Sequence, residues 1–229
     1  MNDNNKNLGT LGEVAEAYSS KPNRYFSGAR TSFIDDLPAN PTARLLEIGC
    51  GNGDTAAYAR KTGKCGWCAG VELCQEPAAE AAKQLEQVLV GDLEQMDLPF
   101  PLAHFDVLIM SEVIEHLRDP WAALRKLHPY LKPGARVAAG SPNVAHHSVF
   151  RMLLRGRWDY APMGVMDRTH LRWFTPATYR QLFEDCGYEV VSVSPPSPLR
   201  FKASLFNRLT FGQLQHLLHT QIYLQAKRI

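Results

Sequence analysis

Leu45-Leu46-Glu47-Ile48-Gly49-Cys50-Gly51-Asn52-Gly53 decides the fold: a short apolar run carrying one acid enters three glycines at alternate positions. A brief apolar run bounded by turn residues reads as a buried strand. Glycines in that spacing let the backbone turn sharply and come within contact distance of a ligand, with the amides of a following helix presented to it. A dinucleotide fingerprint would place its third glycine at position 54, where Asp54 stands, and no Lys-Ser/Thr pair follows for a phosphate-cradling loop. The loop therefore fits a ligand without a pyrophosphate.

Outward from this stretch, short apolar runs alternate with helical patterns, which is the signature of βα units building a parallel sheet covered on both faces. Strands are expected at 44–48, 67–73, 87–91, 105–110, 136–139, 188–194 and 221–227, seven in all. Helices are expected at 56–62 and 77–85. Asp119-Pro120 and Thr175-Pro176 each pair an N-cap residue with proline at the first helical position, so further helices start there, running to Leu131 and to Gly187. Residues 1–42 are expected to form an N-terminal helical cap, with a helix over 12–18 and an aromatic, basic patch of Asn23, Arg24, Tyr25, Phe26 and Arg30, before a main domain over 43–229. Leucines at helical spacing make 195–219 a helical excursion between the last two strands.

The 229 residues carry 25 Lys+Arg against 23 Asp+Glu, a net charge of +2 that excludes a protein whose main work is coating a polyanion. No acid follows Glu189, whereas Arg200, Lys202, Arg208, Lys227 and Arg228 do, so the basic excess sits in the tail. No run of roughly 18 apolar residues suggests a membrane span, and the polar start lacks a signal-peptide core, which points to the cytoplasm. An odd five cysteines fits a reduced compartment.

With an acid ending the first strand before the glycine loop, the chain resembles the class I S-adenosylmethionine-dependent methyltransferases from about residue 25 to 229. The resemblance implies a Rossmann-like, mostly parallel seven-stranded sheet with an antiparallel last strand and S-adenosylmethionine as cofactor. Glu47, Gly49, Cys50, Gly51, Asn52 and Gly53 would form its methionine-side cradle. Glu72, ending the second strand with Leu73 beside it, would accept the ribose hydroxyls. Asp92 and Leu93 would meet the adenine, and Ser111 would face the cofactor from the fourth strand. A cationic ligand suits acids in these places, where a phosphate would be repelled.

Ligands of open α/β sheets bind outside the carboxyl ends of the strands, which directs Ser111-Glu112-Val113-Ile114-Glu115-His116 toward the transferred methyl. On a helix Glu112, Glu115 and His116 would share one face. The same E-x-x-E-H string resembles that of ubiquinone-pathway O-methyltransferases and of small-RNA 3′-terminal 2′-O-methyltransferases, where it can hold a divalent cation; His170 would complete such a site. The metal-free alternative makes His116 and His170 proton acceptors for an attacking hydroxyl, with His146 and His147 behind them.

About thirty residues, 143–174, separate the fifth strand from the next helix, too many for an ordinary loop, and are expected to form an acceptor lid. S-P-N-V-x-H, G-R-W-x-Y and D-x-T-H-L-R-x-F-T within and beside it resemble bacterial methyltransferases associated with surface polysaccharides. Arg151, Arg155, Arg157, Arg168 and Arg172 outnumber Asp159 and Asp167 there, which would suit an anionic or nucleotide-linked acceptor. The Cys65-x-x-Cys68 pair lacks further ligands at finger spacing and reads as buried thiols. The amphipathic stretch 199–222 can pack on the sheet edge, on a second copy in a homodimer, or on a membrane surface.

The leading expectation is O-methylation of a small-molecule or glycan-linked hydroxyl. A metal-dependent RNA 2′-O-methyltransferase is one rival, disfavoured by the low charge. A non-catalytic S-adenosylmethionine-binding regulatory partner is the other. DNA is excluded as an acceptor because Ser111-Glu112-Val113 stands where amino-methylating enzymes carry Asn/Asp-Pro-Pro-aromatic.

Overall fold

A computed structural model describes residue 21 and residues 25–195 and 207–229. The strands are β1 (Arg44–Ile48), β2 (Trp67–Glu72), β3 (Gln87–Val90), β4 (Phe105–Ser111), β5 (Leu131–Pro142), β6 (Tyr188–Ser194) and β7 (Gln221–Arg228). They form one sheet in the order β3-β2-β1-β4-β5-β7-β6. All pairings are parallel from β3 to β5, and β7 runs antiparallel to both β5 and β6. The expected seven strands and antiparallel last strand are thus present. With β1 beside β4, the chain reverses direction across the sheet there, and a crevice opens at the carboxyl ends of these two strands.

Side chains alternate between two buried layers, as the two-residue period of a strand requires. Leu46, Ile48, Leu108, Met110, Val137 and Leu224 join one, with Leu124, Tyr179 and Phe183 from helices α3 (Pro120–Leu127) and α5 (Pro176–Glu184). Leu45, Val107, Ile109, Ala138 and Tyr223 join the other, with Ala56 and Ala59 of α1 (Asp54–Lys61), Ala81 of α2 (Gln75–Ala81), and Phe33 and Ile34 from the segment preceding β1.

Both proline-led starts behave as their chemistry dictates. Asp119 accepts the Ala122 amide at 2.9 Å, and Thr175 exchanges bonds with Thr178 in a capping box. Several boundaries differ from the sequence reading, the helix expected at 77–85 lying at 75–81 among them, and two of the differences reshape the sheet. Helix α3 stops at Leu127 and continues as a 3-10 turn over His128–Tyr130, and β5 begins at Leu131 instead of Arg136. The pairing of β4 with β5 skips from Leu131 to Arg136, so Lys132-Pro133-Gly134 forms a bulge inside a strand instead of a break before it. A bulge is where a proline without an amide proton and a left-handed glycine (φ 77° at Gly134) fit.

The lid leaves β5 and returns beside it, with Asn143 bridging Phe174 and helix α4 (His147–Leu153) near its start. Asn143 also donates to the carbonyls of His216 and His219, tying the lid's base to the segment before β7. That segment has helical character at 207–209 and 215–217; the expected helix over 12–18 and the residues 196–206 of the excursion and its amphipathic stretch lie outside the described residues. No helix among the described residues is long and apolar enough to cross a membrane. Cys65 and Cys68 are buried free thiols whose sulfurs lie 3.1 Å apart, at the end of β2 away from the crevice.

Candidate active site

The turn after β1 is possible only because its glycines lack side chains. Gly49 and Gly51 adopt φ of 66° and 52°; a Cβ on Gly49 would fall 2.5 Å from Val113 Cγ2, and one on Gly51 would fall 2.5 Å from the Phe26 carbonyl oxygen. The close approach brings a strap, Tyr25 to Arg30, over the loop. Its Phe26 carbonyl accepts the Asn52 amide at 2.9 Å, Asp54 accepts the Gly28 amide at 2.7 Å, and Thr55 accepts the Arg30 amide at 3.2 Å.

Beneath the strap lies one cavity of about 540 Å³. Glu47, Gly49, Cys50, Gly51, Glu72, Leu73, Asp92, Leu93 and Ser111 line it, so the ends of four strands converge as their spacing foretold. Asn52 and Gly53 do not line it: the Asn52 amide is taken by the strap, and Gly53 packs on Ala81 and Leu85. Tyr25, Phe26, Ser27, Gly28, Arg30 and Arg118 complete the wall without having been assigned a role from sequence. The aromatic, basic composition of 23–30 was the only signal for the first five, and Arg118 had none.

The acids are held by backbone amides. Glu72 accepts from Gly51 at 2.8 Å on one oxygen and from Cys74 at 3.0 Å on the other, and Glu47 accepts from Ala56 at 3.0 Å. Asp92 accepts the Glu94 amide and pairs with Arg118 at 3.3 Å. Burial disfavours the charged forms of the first two: the Glu72 carboxyl is shifted up, and that of Glu47 is pushed up to about 8, chiefly by desolvation against its hydrogen bonds to Ala56 and Thr55. A raised carboxyl binds a proton in the folded chain that the unfolded chain loses, so the stability Glu47 contributes is complete below about pH 4.5 and disappears as pH rises to about 8. Thermal melts without ligand should therefore fall across that window, and Glu47→Gln should flatten the fall; parallel curves for the two proteins would refute the assignment.

His116 and His170 also line the cavity, ring centroids 4.7 Å apart. Each ring is fixed through Nδ1: His116 against the Thr169 carbonyl and His170 against the Val165 carbonyl, both at 3.1 Å, which selects the tautomer with the proton on Nδ1. The lid's return stroke makes this meeting possible, since the Leu171 and Arg172 amides both donate to the Glu115 carbonyl. Desolvation pushes His116 down to about 3, with His170 adding to it, and lowers His170 for the same first reason. Both imidazoles are neutral near pH 7.

Glu112, Glu115 and His116 do not share a helix face. Glu112 takes a left-handed φ of 56° and lines the cavity, and only Ile114–His116 coil into a 3-10 turn, which swings Glu115 into the core. There Glu115 is 1% exposed; among the described residues neither carboxylate oxygen meets a partner at full hydrogen-bond geometry, and the Ser141 hydroxyl is the polar side chain that favours its charged form. Burial, then the neighbouring Glu112, pushes its carboxyl well above the ordinary range. One ligand atom each from Glu115, His116 and His170 lies within 4.8 Å of the others, whereas Glu112 is outside this group. None of the five lid arginines lines the cavity; Arg30 and Arg118 do, and Arg30 favours the charged form of Glu112 against the burial that raises it to about 7.

A methyltransferase domain model matches residues 18–193. The chain belongs to the methyltransferase family. It is 32% identical over 166 residues to a 2-phytyl-1,4-naphtoquinone methyltransferase of Synechococcus elongatus, covering 68% of this chain and 64% of that protein. A ubiquinone biosynthesis O-methyltransferase of Pseudomonas aeruginosa is 28% identical over 61% of this chain and 66% of its own length. The chain thus spans about two thirds of these curated relatives. Among solved structures, an S-adenosylmethionine-dependent methyltransferase from Mesorhizobium loti superposes with a TM-score of 0.62 at 18% identity, covering 89% of this chain and all of that one. The [4+2]-cyclase SpnF shares the fold at 0.59 and 18% identity, covering 90% of this chain and 81% of its own, so architecture by itself does not fix a reaction.

Proposed function

We propose that the chain transfers the methyl group of S-adenosylmethionine to a hydroxyl of a small molecule, with His170 as proton acceptor. The observation that carries this reading is one cavity lined both by the strand-end acids Glu47, Glu72 and Asp92 and by a pair of neutral histidines. The acids suit the ammonium, ribose and adenine amino group of the cofactor, and its positive charge favours ionised Glu47. Transfer is an in-line displacement at the methyl carbon, in which placing the oxygen about 3 Å from that carbon supplies much of the acceleration. The hydroxyl must also lose its proton. His170 is the better acceptor of the pair, because His116, pushed down to about 3, holds a proton too weakly near neutral pH. His116 and the Val165 carbonyl then serve to orient it. Relatives named for ubiquinone biosynthesis O-methylation and for 27-O-demethylrifamycin SV, the latter 33% identical over 45% of this chain and 40% of its own, support a small-molecule hydroxyl over RNA.

A second reading adds a divalent cation at Glu115, His116 and His170. Two neutral imidazoles anchored through Nδ1 and a buried carboxylate fit such an ion chemically, which would lower the pKa of a bound hydroxyl. Calorimetry with S-adenosylmethionine, followed by a panel of phenolic and sugar hydroxyls with and without a chelator, tests all of this. Binding with turnover that survives chelation supports the histidine mechanism. Turnover abolished by the chelator supports the cation, and binding without any turnover supports a regulatory role instead.

A further inference from the structure

Asp167 stands on the lid yet is 2% exposed, and a carboxylate taken out of water is costly unless its oxygens are occupied. Here both are. Oδ1 accepts the Thr169 amide at 3.0 Å and the Thr169 hydroxyl at 2.9 Å, the local turn that an aspartate forms with the backbone two residues on. Oδ2 meets Lys21 Nζ at 2.5 Å, and the Lys21 side chain is itself only 9% exposed. Lys21 also donates to the Pro162 carbonyl at 2.8 Å, so one ammonium clasps the lid at two points. Burial alone would raise the Asp167 carboxyl, but its bonds to Lys21 and Thr169 hold it below the ordinary range.

What this carboxylate fixes is the backbone between Gly164 and His170. The Asp167 amide donates to the Gly164 carbonyl at 2.9 Å, and the Asp167 carbonyl accepts the His170 amide at 3.0 Å. Within that stretch lie the two carbonyls that hold the histidine rings, Val165 for His170 and Thr169 for His116. Thr169 is 5% exposed, and with its amide and hydroxyl both bound to Asp167 its backbone direction is set, which keeps its carbonyl on His116 Nδ1. Asp167 lines the cavity, but with both oxygens committed inside the fold it reaches the chemistry through the rings it orients. Asp159, the lid's other acid, is exposed, pairs with Arg157 at 2.7 Å and does not line the cavity.

We infer that Asp167 is a positioning residue: through Thr169 and the turn back to Gly164 its carboxylate sets the orientation and tautomer of the His116 and His170 rings, while Lys21 neutralises it from the other oxygen. The fixing of the rings is independent of any reaction; that it serves proton transfer rests on the methyltransferase reading.

Nitrogen NMR of the full chain carrying ring-labelled histidine reads the tautomers directly, with His116→Gln and His170→Gln assigning the two rings. At about pH 8, above the ordinary imidazole pKa of about 6.5, the wild type should show each ring with a protonated Nδ1 and a bare Nε2. Asp167→Ala combined with Lys21→Met, which leaves no charge of this pair buried alone, should lose that fixed pattern at both rings. Asp167→Asn combined with Lys21→Met should recover it, because the side-chain amide oxygen accepts from Thr169 where Oδ1 does. Asp159→Ala should change neither ring. Thermal melts and calorimetry with S-adenosylhomocysteine establish that each variant is folded, with an affinity within about twofold of wild type. On the hydroxyl acceptor that the panel shows to be turned over fastest, the alanine pair should lower kcat at least about tenfold, since small misplacement of a reacting group costs that much or more. Unaltered ring signals in the alanine pair, the same loss in Asp159→Ala, or failure of the asparagine pair to recover the pattern overturns the proposal. So does a kcat that survives the loss of the fixed tautomers. Ring signals that respond as expected in a chain that turns over no acceptor would defeat the methyltransferase reading and leave the positioning standing.

Discussion

Replacing His170 by alanine lowers kcat by at least about a hundredfold near neutral pH and leaves the affinity for S-adenosylmethionine within about twofold. The asymmetry follows from position. His170 lines the cavity, and its ring is carried by the lid, not by the strand ends that would bind the cofactor. His116→Ala should cost less, because its imidazole is a far weaker base, and the loss it causes reflects a displaced His170 ring 4.7 Å away. The pH profile carries an independent signature. Burial lowers the His170 pKa, so at saturating cofactor kcat should be flat from about pH 6.5 upward and fall only below that, where the imidazole gains its proton. A wild-type rate that instead rises steadily from pH 6.5 to 9, or a His170→Ala enzyme with unaltered kcat, removes His170 as the base.

Gly51→Ala should weaken S-adenosylmethionine binding at least about tenfold and lower Tm by about 2–4 °C. A left-handed alanine costs about 1–2 kcal/mol, which in a chain of this size corresponds to that shift. The larger effect is steric. The new Cβ would lie 2.5 Å from the Phe26 carbonyl oxygen, a backbone atom that cannot swing away, so either the strap lifts or the loop moves. Lifting the strap opens the cavity roof. Moving the loop breaks the bond from the Gly51 amide to Glu72 and misplaces the carboxylate proposed for the ribose. Gly63→Ala is the control: Gly63 is also left-handed, at φ 72°, but a Cβ there meets nothing within 4 Å, and it lies outside the cavity. It should share part of the loss in Tm and none of the loss in affinity, which calorimetry and melts on the two variants can check. Equal affinities for Gly51→Ala and wild type would mean that the strap and loop do not shape the cofactor site.

Much of the cavity's strand-end wall was legible in the chain because its determinants are local. Glu47, Glu72 and Asp92 each sit at or next to the end of a short apolar run, and parallel strands in register place such ends together. The bulge at Lys132-Pro133-Gly134 was misread for the complementary reason: proline and glycine mark a break in one strand's sequence, and only pairing with β4 shows the strand passing through it. The E-x-x-E-H string was misplaced on a helix face because spacing presumes a regular helix. The left-handed Glu112 and the 3-10 turn after it separate its acids into one at the cavity and one in the core.

By itself the sequence determined the sheet, its seven strands, the capped helices and the glycine turn, since each follows from periodicity or from a residue's own φ preference. The tertiary structure alone decided how the two histidines of the proposed reaction side are held. His116 and His170 stand 53 residues from Thr169 and 5 from Val165, the carbonyls that hold them, and meet only because the Leu171 and Arg172 amides find the Glu115 carbonyl. Lys21 likewise reaches Asp167, 146 residues on, at 2.5 Å with both side chains buried, joining the chain's beginning to the lid. A long loop's path is set by where its polar backbone can be satisfied, and that depends on partners no local spacing encodes.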